Sequence, residues 1–197
     1  MAIMSIGRSD PRPLTVADLE RMPDDGRRYE LVDGRLDVSP APVSVHSQCE
    51  GRLVTYLNIA ARGRFEAYPG AGITLNAEGT HHRIPDVAVV RAGQVEHPYL
   101  TTPPVLAVEV VSPESRLRDL HTKRREYAEF GIDSYWIVTP ALDKPGITEL
   151  RLREGVYRET AQVFGEDVLE TDAPFPLRIV PHWLIAPGMW IDRIGGD

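Results

Sequence analysis

The strongest constraint on the fold is an apolar segment with a single carboxylate in its middle. Residues 105–111 read Val-Leu-Ala-Val-Glu-Val-Val, and Glu109 is the polar side chain in this run. A short continuous apolar run of this length is typical of a strand inside the core. An ionised carboxylate is costly to bury unless a cation or hydrogen-bond donors meet it. The sequence therefore predicts a buried strand in which Glu109 has a partner.

A second carboxylate stands at the start of another apolar strand. Residues 84–90 read Ile-Pro-Asp-Val-Ala-Val-Val, with Asp86 at the beginning of the apolar part. Side chains alternate along a strand, so the two carboxylates converge if the two strands are neighbours in one sheet. Carboxylate oxygens are the ligands that Mg²⁺ or Mn²⁺ prefers, whereas zinc favours histidine or cysteine. We therefore predict a divalent-cation site held by Asp86 and Glu109, suited to phosphodiester hydrolysis.

The first forty residues carry signals for a helix and a hairpin. Thr15 followed three residues later by Asp18 predicts the start of a short helix. Two alternating segments, 28–32 and 35–38, are separated by Asp33-Gly34, which is typical of a two-residue hairpin turn. We expect both elements to belong to an α+β arrangement.

The remaining patterns predict a mixed α/β or α+β fold with a central sheet. Helical periodicity covers about 44–61 and 117–130, and Gly131 is a typical helix stop. Additional strands are predicted near 65–68, 72–75, 134–138, 149–153, 156–158 and 161–164, the last three as partly exposed hairpin strands. We expect residues 1–13 to be a flexible N-terminal segment and 14–197 to be a single domain.

The composition of this 197-residue chain limits the cellular compartments and binding partners that we expect for it. The formal net charge of −7 argues against bulk attraction to nucleic acid, although a local basic face stays open. The single cysteine, Cys49, cannot form an internal disulfide and is interpreted as a packing residue in a reducing compartment. Since no window reaches the roughly 18 apolar residues of a membrane span, we expect a cytoplasmic protein with no membrane partner.

A basic stretch follows the Glu109 strand. At about 100° per residue, Lys123 falls at the rim of the buried face of the predicted helix, from where its amine can contact a phosphate or an attacking water. Flanking arginines are candidates for contact with a phosphate backbone; they are Arg116, Arg118, Arg124 and Arg125. The alternative interpretation is an ordinary solvated helix face.

Several motifs, in their order along the chain, resemble the Uma-type restriction endonuclease family of the PD-(D/E)xK nuclease superfamily. They are Tyr29–Gly34, Pro85-Asp86, Glu109–Pro113, Lys123 four residues before Tyr127, Gly131 and Tyr135-Trp136. The resemblance runs from about Leu14 to Val138 and more loosely to Trp183-Leu184. It implies a restriction-endonuclease-like core, with a central mixed β-sheet flanked by helices and extra hairpins, and Mg²⁺-dependent cleavage of DNA.

One departure from the superfamily pattern affects the assignment of the lysine. The simplest pattern has a lysine two residues after the glutamate, where this chain has Val111. The Uma-type pattern is similar to variants whose lysine lies in the following helix, which gives that catalytic role to Lys123. Glu30 matches an acidic position of the family and is expected as a further ligand or water-positioning group. Nucleases of this type often act as dimers, so the resemblance also implies a homodimer.

Each candidate residue has a structural alternative. For Asp86 the alternative is to close a strand or to accept a backbone N–H. Glu109 has the alternative of a buried partner of Arg83 or Arg124, and Lys123 that of an i,i+4 partner of Asp119. Glu30 has the alternative of a cross-strand charge partner. His81-His82 is interpreted as an exposed loop, and His46, at the start of a helix, is left open between capping and contact with substrate.

Two functional alternatives accompany the nuclease hypothesis. The first is a catalytically inactive module with the nuclease fold that binds DNA or another protein, which the charge of −7 and Val111 favour. The second is a metal-dependent hydrolase of another phosphate ester.

Overall fold

The computed structural model describes residues 12–111 and 118–196, and of residues 118–120 it describes the backbone alone. The described residues form two compact units, which are considered separately. The first contains residues 12–41 and 74–83, and the second contains residues 42–73 and the described residues from 84 onward. The single domain over 14–197 stays a prediction, and most of the segment 1–13 lies outside the described residues.

The helices and strands follow the predicted order, with three differences. The strands predicted at 156–158 and 161–164 form one strand that contains a β-bulge, a short strand is added at 82–83, and two more are added near the end of the chain. In sequence they are α1 (Val16–Leu19), β1 (Arg28–Val32), β2 (Arg35–Ser39), α2 (Ser44–Ala61), β3 (Phe65–Pro69), β4 (Ile73–Thr74), β5 (His82–Arg83), β6 (Val87–Arg91), β7 (Leu106–Val110), α3 (Arg124–Phe130), β8 (Ser134–Thr139), β9 (Gly146–Arg153), β10 (Val156–Phe164), β11 (Leu169–Thr171) and β12 (Leu177–Ile179). A π-helix (Arg118–Lys123) precedes α3, and two 3₁₀-helices (Pro181–Leu184 and Trp190–Asp192) follow β12.

The first unit begins with the predicted helix and hairpin. The Asp18 carboxylate accepts the backbone N–H of Thr15 at 2.8 Å, which confirms the predicted helix start. Asp18 also accepts hydrogen bonds from Arg12, and this contact holds the pKa of the carboxyl well below its usual range. Between β1 and β2, Asp33 and Gly34 both have positive φ, 49° and 73°. Such a two-residue turn matches the twist of the flanking strands, so the predicted hairpin is confirmed.

A four-stranded sheet in the order β2-β1-β5-β4 organises the first unit. Leu31 of β1 pairs with His82 of β5, and His82 is 1% exposed. The interpretation of His81-His82 as an exposed loop is therefore wrong for His82, because strand pairing carries its ring into the interior. There its Nδ1 lies 3.2 Å from the Thr74 hydroxyl.

The second unit is built on a six-stranded mixed sheet in the order β10-β9-β8-β7-β6-β3. Strands β7 and β8 are parallel, and the other neighbouring pairs are antiparallel. Every residue of β7, including Glu109, is buried. The predicted mixed sheet with a buried Glu109 strand is therefore confirmed.

Helix α2 covers one face of this sheet. Its buried residues are Cys49, Leu53, Leu57 and Ala61, which join strand residues such as Val108 and Trp136 in one hydrophobic cluster. Burial raises the pKa of the Cys49 thiol, so this cysteine packs rather than reacts, as expected.

The helix predicted over 117–130 has a more complex structure. Residues Arg118–Lys123 form a π-helix, and a regular α-helix begins only at Arg124. A π-helix has a wider turn than an α-helix, so rotation by 100° per residue does not apply before Lys123. The side chain of Lys123 is accordingly buried rather than at the rim. Gly131, with φ 93°, ends α3 as predicted.

Among the described residues, none of the helices combines the length and the hydropathy needed to cross a bilayer. The cytoplasmic location stays a prediction.

His82 makes the stability of the fold depend on pH. Burial lowers the pKa of His82 from 6.5 to about 4, against the opposing effect of Glu30. The unfolded chain then binds the proton first, so stability is full above pH 6.5 and is lost as the pH falls towards 4. We expect a loss of about 3 kcal/mol over this window. Urea unfolding at pH 7 and at pH 4.5 measures it.

The control for this prediction is a pair of histidine variants. His82→Gln should flatten the pH dependence, whereas His182→Gln, at a side chain that is 37% exposed, should keep the wild-type profile. Equal profiles for wild type and His82→Gln would contradict the prediction.

The hairpin turn has a close contact that a side chain would disturb. A Cβ on Gly34 would lie 2.8 Å from the Pro13 Cα, whereas a Cβ on Gly26 would meet nothing within 4 Å. Both glycines have positive φ, 73° and 76°. Because the backbone strain is similar, Gly34→Ala should lower the free energy of unfolding by about 1–3 kcal/mol more than Gly26→Ala. Urea denaturation of the two variants tests this, and equal losses would show that the contact with Pro13 is unimportant.

Candidate metal centre

Glu109 lies in β7, and Asp86 directly precedes β6, the antiparallel neighbour of β7. Val87 pairs with Val108 and Ala88 with Ala107, and continuing this register by one residue sets Asp86 opposite Glu109. Asp86 Oδ2 accepts the backbone N–H of Val110 at 2.7 Å. The strand carrying Glu109 therefore also orients the Asp86 carboxylate, and both side chains are 2% exposed.

The Glu109 carboxylate is met by two donors from the following helix. Its Oε1 lies 2.9 Å from Lys123 Nζ and accepts the Tyr127 hydroxyl at 2.7 Å. Lys123 is 2% exposed and Tyr127 is fully buried. An ammonium and a hydroxyl thus compensate the cost of burying the carboxylate. The expectation that Glu109 has a partner is confirmed.

The second donor, Tyr127, was not among the site residues predicted from the sequence. Its ring packs edge-to-face on Tyr135 of β8, with centroids 5.4 Å apart. The aromatic contact fixes the ring and the hydroxyl reaches Glu109. Its position four residues after Lys123 is the signal that the sequence offered, since residues at this spacing share a helix face.

A second set of groups meets Asp86 from the start of α2. His46 Nε2 lies 3.1 Å from Asp86 Oδ1 and 3.8 Å from Glu50 Oε2. The ligand atoms of these three residues all lie within 4.8 Å of one another. The sequence alone left the role of His46 open, and Glu50 was not among the predicted site residues. The i,i+4 spacing of a histidine and a glutamate in the first turns of a helix was the available signal.

The donor set at this end of the sheet suits a divalent cation. Asp86 and Glu109 supply carboxylate oxygens from adjacent strands, and His46 and Glu50 add a nitrogen and further oxygens beside Asp86. Hard and borderline divalent cations take such ligands. The groups around Asp86 therefore suit a divalent cation, and a site that Asp86 and Glu109 share stays a prediction.

Glu30 lies in the first unit, in a buried ion pair. Its Oε2 is 3.2 Å from an Arg83 guanidinium nitrogen, and the same nitrogen is 3.3 Å from Asp37 Oδ2. Arg83 belongs to β5, which neighbours β1 in the sheet. This geometry matches the alternative of a cross-strand charge partner, and the catalytic role of Glu30 stays a prediction.

Of the four arginines expected to contact DNA, the structure describes the side chains of Arg124 and Arg125. Arg116 lies outside the described residues, as does the side chain of Arg118. Arg124 donates to the Tyr157 carbonyl at 2.7 Å and so ties α3 to β10. Arg125 is exposed, with its Nε 3.9 Å from Glu129. Their role in binding stays a prediction.

The mixed sheet, with two carboxylates and a lysine at one end, defines a nuclease-like fold. A family model described as Uma2, putative restriction endonuclease, matches residues 16–181. The chain belongs to this family, which confirms the resemblance seen in its motifs.

The structure is also similar to the crystal structure of a putative nuclease of DUF820 from Anabaena variabilis. The TM-score is 0.66 at 16% sequence identity, over 91% of this chain and 99% of the other. At this identity the likeness shows the fold. No curated protein gives a significant match.

The Lys123–Glu109 ion pair should be essential for stability in the absence of metal. Lys123→Met leaves a buried carboxylate without its cation, so the free energy of unfolding at pH 7 should fall by about 3–5 kcal/mol. Adding Glu109→Gln to this variant removes the charge and should recover more than half of that loss.

Arg125→Met, at an exposed ion pair with Glu129, is the matched control and should have a much smaller effect. Chemical denaturation of the wild type and of these three variants measures the losses. A loss for Lys123→Met no larger than that for Arg125→Met would refute the structural role of the pair.

Proposed function

We propose that the protein is a metal-dependent endonuclease that hydrolyses phosphodiester bonds in DNA. The observation that carries this proposal is the group of Asp86, Glu109 and Lys123 at one end of two adjacent strands. Membership of the restriction endonuclease family supports it. In this proposal Asp86 and Glu109 bind the metal, and Lys123 acts on the attacking water or the phosphate.

The cation of the proposal is Mg²⁺ or Mn²⁺. When bound, such an ion neutralises charge on the scissile phosphate, lowers the pKa of a water and stabilises the leaving oxygen. Asp86 is suited to hold it because the Val110 N–H fixes one of its oxygens and turns the other towards His46 and Glu50. Glu109 is suited to bind the same ion because it precedes Val110, whose N–H orients Asp86, in the same strand.

Lys123 carries out the second part of the proposed mechanism. Its amine lies within hydrogen-bond distance of the Glu109 carboxylate, at 2.9 Å. A protonated amine at this position donates hydrogen bonds to a phosphate oxygen or orients a water for attack. Tyr127 acts through Glu109, by holding the carboxylate that in turn holds the lysine.

DNA is the proposed substrate, and its backbone would contact the basic residues after β7. Arg125 is exposed on α3, and Arg116 and Arg118 lie in the segment just before it. Contacts of this kind fix the position of a duplex without reading its sequence. In a protein of net charge −7 they form a local attraction, so binding should weaken steeply with salt.

A homodimer is part of the proposal, because two copies would address the two strands of a duplex. Strand β10 is an edge of the six-stranded sheet and offers a surface for pairing with a second copy. Sedimentation at several protein concentrations tests this, and a monomer throughout would remove it.

One observation favours the alternative of an inactive DNA-binding or protein-interaction module. Lys123 is buried and already occupied by Glu109, and Val111 stands where the simplest superfamily pattern has its lysine. A lysine held in a structural ion pair would leave the fold without a catalytic amine. DNA binding without cleavage would identify such a module.

Plasmid cleavage with Mg²⁺ or Mn²⁺ tests the nuclease proposal. Asp86→Asn and Glu109→Gln should abolish cleavage, and Lys123→Met should lower the rate by on the order of 100-fold. EDTA should abolish cleavage by the wild type. Since each substitution alters a buried group, a folding control is needed.

Glu149→Gln is that control, because Glu149 is a buried carboxylate in a separate cluster with Arg151 and Thr171. This variant should cleave at the wild-type rate wherever it is folded. Cleavage that survives all three site substitutions, or that persists in EDTA, would exclude the proposed site.

A further inference from the structure

The contacts of His46 extend the proposed site beyond the two strand carboxylates. His46 and Glu50 are four residues apart on α2, so their side chains share one face of the helix. Both side chains are largely buried, at 13% and 15% exposure, and both point to the region of Asp86. Three potential ligands thus meet from two elements that are forty residues apart in the chain.

The spacing of these atoms is that of ligands around one ion. In an octahedral site with bonds of about 2.1 Å, neighbouring ligands lie about 3 Å apart and opposite ligands about 4.2 Å apart. The distances of 3.1 Å between His46 and Asp86 and 3.8 Å between His46 and Glu50 fall in this range. A hydrogen bond between His46 and Asp86 explains the first distance but not the convergence of the second carboxylate.

Charge also favours a cation at this position. Glu50 and Asp86 bring carboxylate oxygens to the side of one imidazole nitrogen, and these are ligand types that a divalent cation takes. The nearby Arg52 on α2 is directed elsewhere, since its guanidinium donates to the carbonyls of Trp183 and Ala186 at 2.9 and 2.7 Å. Two carboxylates in a site of low exposure are therefore stabilised when a divalent cation joins them.

We infer that His46 and Glu50 are additional ligands of the metal bound by Asp86, and that the nitrogen of His46 makes the site selective for Mn²⁺ over Mg²⁺. This inference rests on the proposed function, because it assigns two more ligands to the ion of the nuclease site. Mn²⁺, a first-row transition ion, accepts a nitrogen ligand beside its oxygen ligands more readily than Mg²⁺, which keeps oxygen ligands and water. The preference for Mn²⁺ over Mg²⁺ then comes from His46 on α2. The carboxylates of Asp86 and Glu109 contribute affinity for both ions.

Metal binding by the free protein, without DNA, tests this directly. Binding of Mn²⁺ is followed by the loss of the electron paramagnetic resonance signal of the free ion, and Mg²⁺ is titrated as a competitor. The wild type should bind Mn²⁺ at least about tenfold more tightly than Mg²⁺. His46→Ala should weaken Mn²⁺ binding by about 10–100-fold and Mg²⁺ binding by much less, because it removes the nitrogen ligand.

Further variants separate the ligands from the rest of the fold. Glu50→Gln should weaken both ions, and His182→Ala, at a histidine on the first 3₁₀-helix, should change neither. His46→Asn replaces the ring by a smaller polar group and repeats the measurement if His46→Ala does not fold. Absence of Mn²⁺ binding by the wild type, or an unchanged preference for Mn²⁺ in the His46 variants, would overturn the inference.

The two proposals fail in different ways. If the wild type binds Mn²⁺ through His46 but cleaves no plasmid, the nuclease proposal fails and the ligand assignment stands. If substitutions of Asp86, Glu109 and Lys123 abolish cleavage while His46→Ala binds Mn²⁺ as the wild type does, the ligand assignment fails and the nuclease proposal stands.

Discussion

The buried ion pair between Glu109 and Lys123 is the interaction on which the organisation of the second unit depends. A carboxylate in a central strand is unstable without compensation, and here Lys123 and Tyr127 supply it from the next helical segment. The same contact therefore docks that helix on the sheet and sets the amine beside the Glu109 carboxylate. The contact between Lys123 Nζ and Glu109 Oε1 thus stabilises the fold and also joins two residues of the candidate site.

The buried carboxylate of Asp86, next to the neighbouring strand, also needs hydrogen-bond donors. One of its oxygens accepts the Val110 N–H, and the other faces α2. A carboxylate at the end of a strand is thereby held in one orientation by the backbone of β7. The strands supply rigidity, and the two flanking helices bring the groups that differ in chemistry: an amine from one and an imidazole from the other. This division suits a site that must keep its ligands in fixed positions.

Local patterns predicted much of this architecture. The Asp33-Gly34 turn, α2 and the strands next to Asp86 and around Glu109 follow from turn chemistry and periodicity, and β6 and β7 are neighbours in one sheet. A metal ion shared by the two carboxylates stays a prediction. The contacts of His46 with Asp86 depend on how α2 packs on the sheet, forty residues away, and no local pattern contains that information. The prediction of an exposed His82 was wrong because its burial depends on the pairing of β5 with β1, which is also a long-range contact.

The π-helix before α3 has a consequence for how the lysine is aimed. A π-helical turn accommodates one more residue than an α-helical turn, so it offsets the residues on either side of it by about 100°. Lys123 ends this segment and is buried against Glu109. Lys123 and Tyr127 are four residues apart and contact the same Glu109 oxygen, so α3 keeps both donors on one face. The extra residue of the wide turn therefore changes the rotational position of the residues before Lys123 and leaves the two donors in register with the carboxylate.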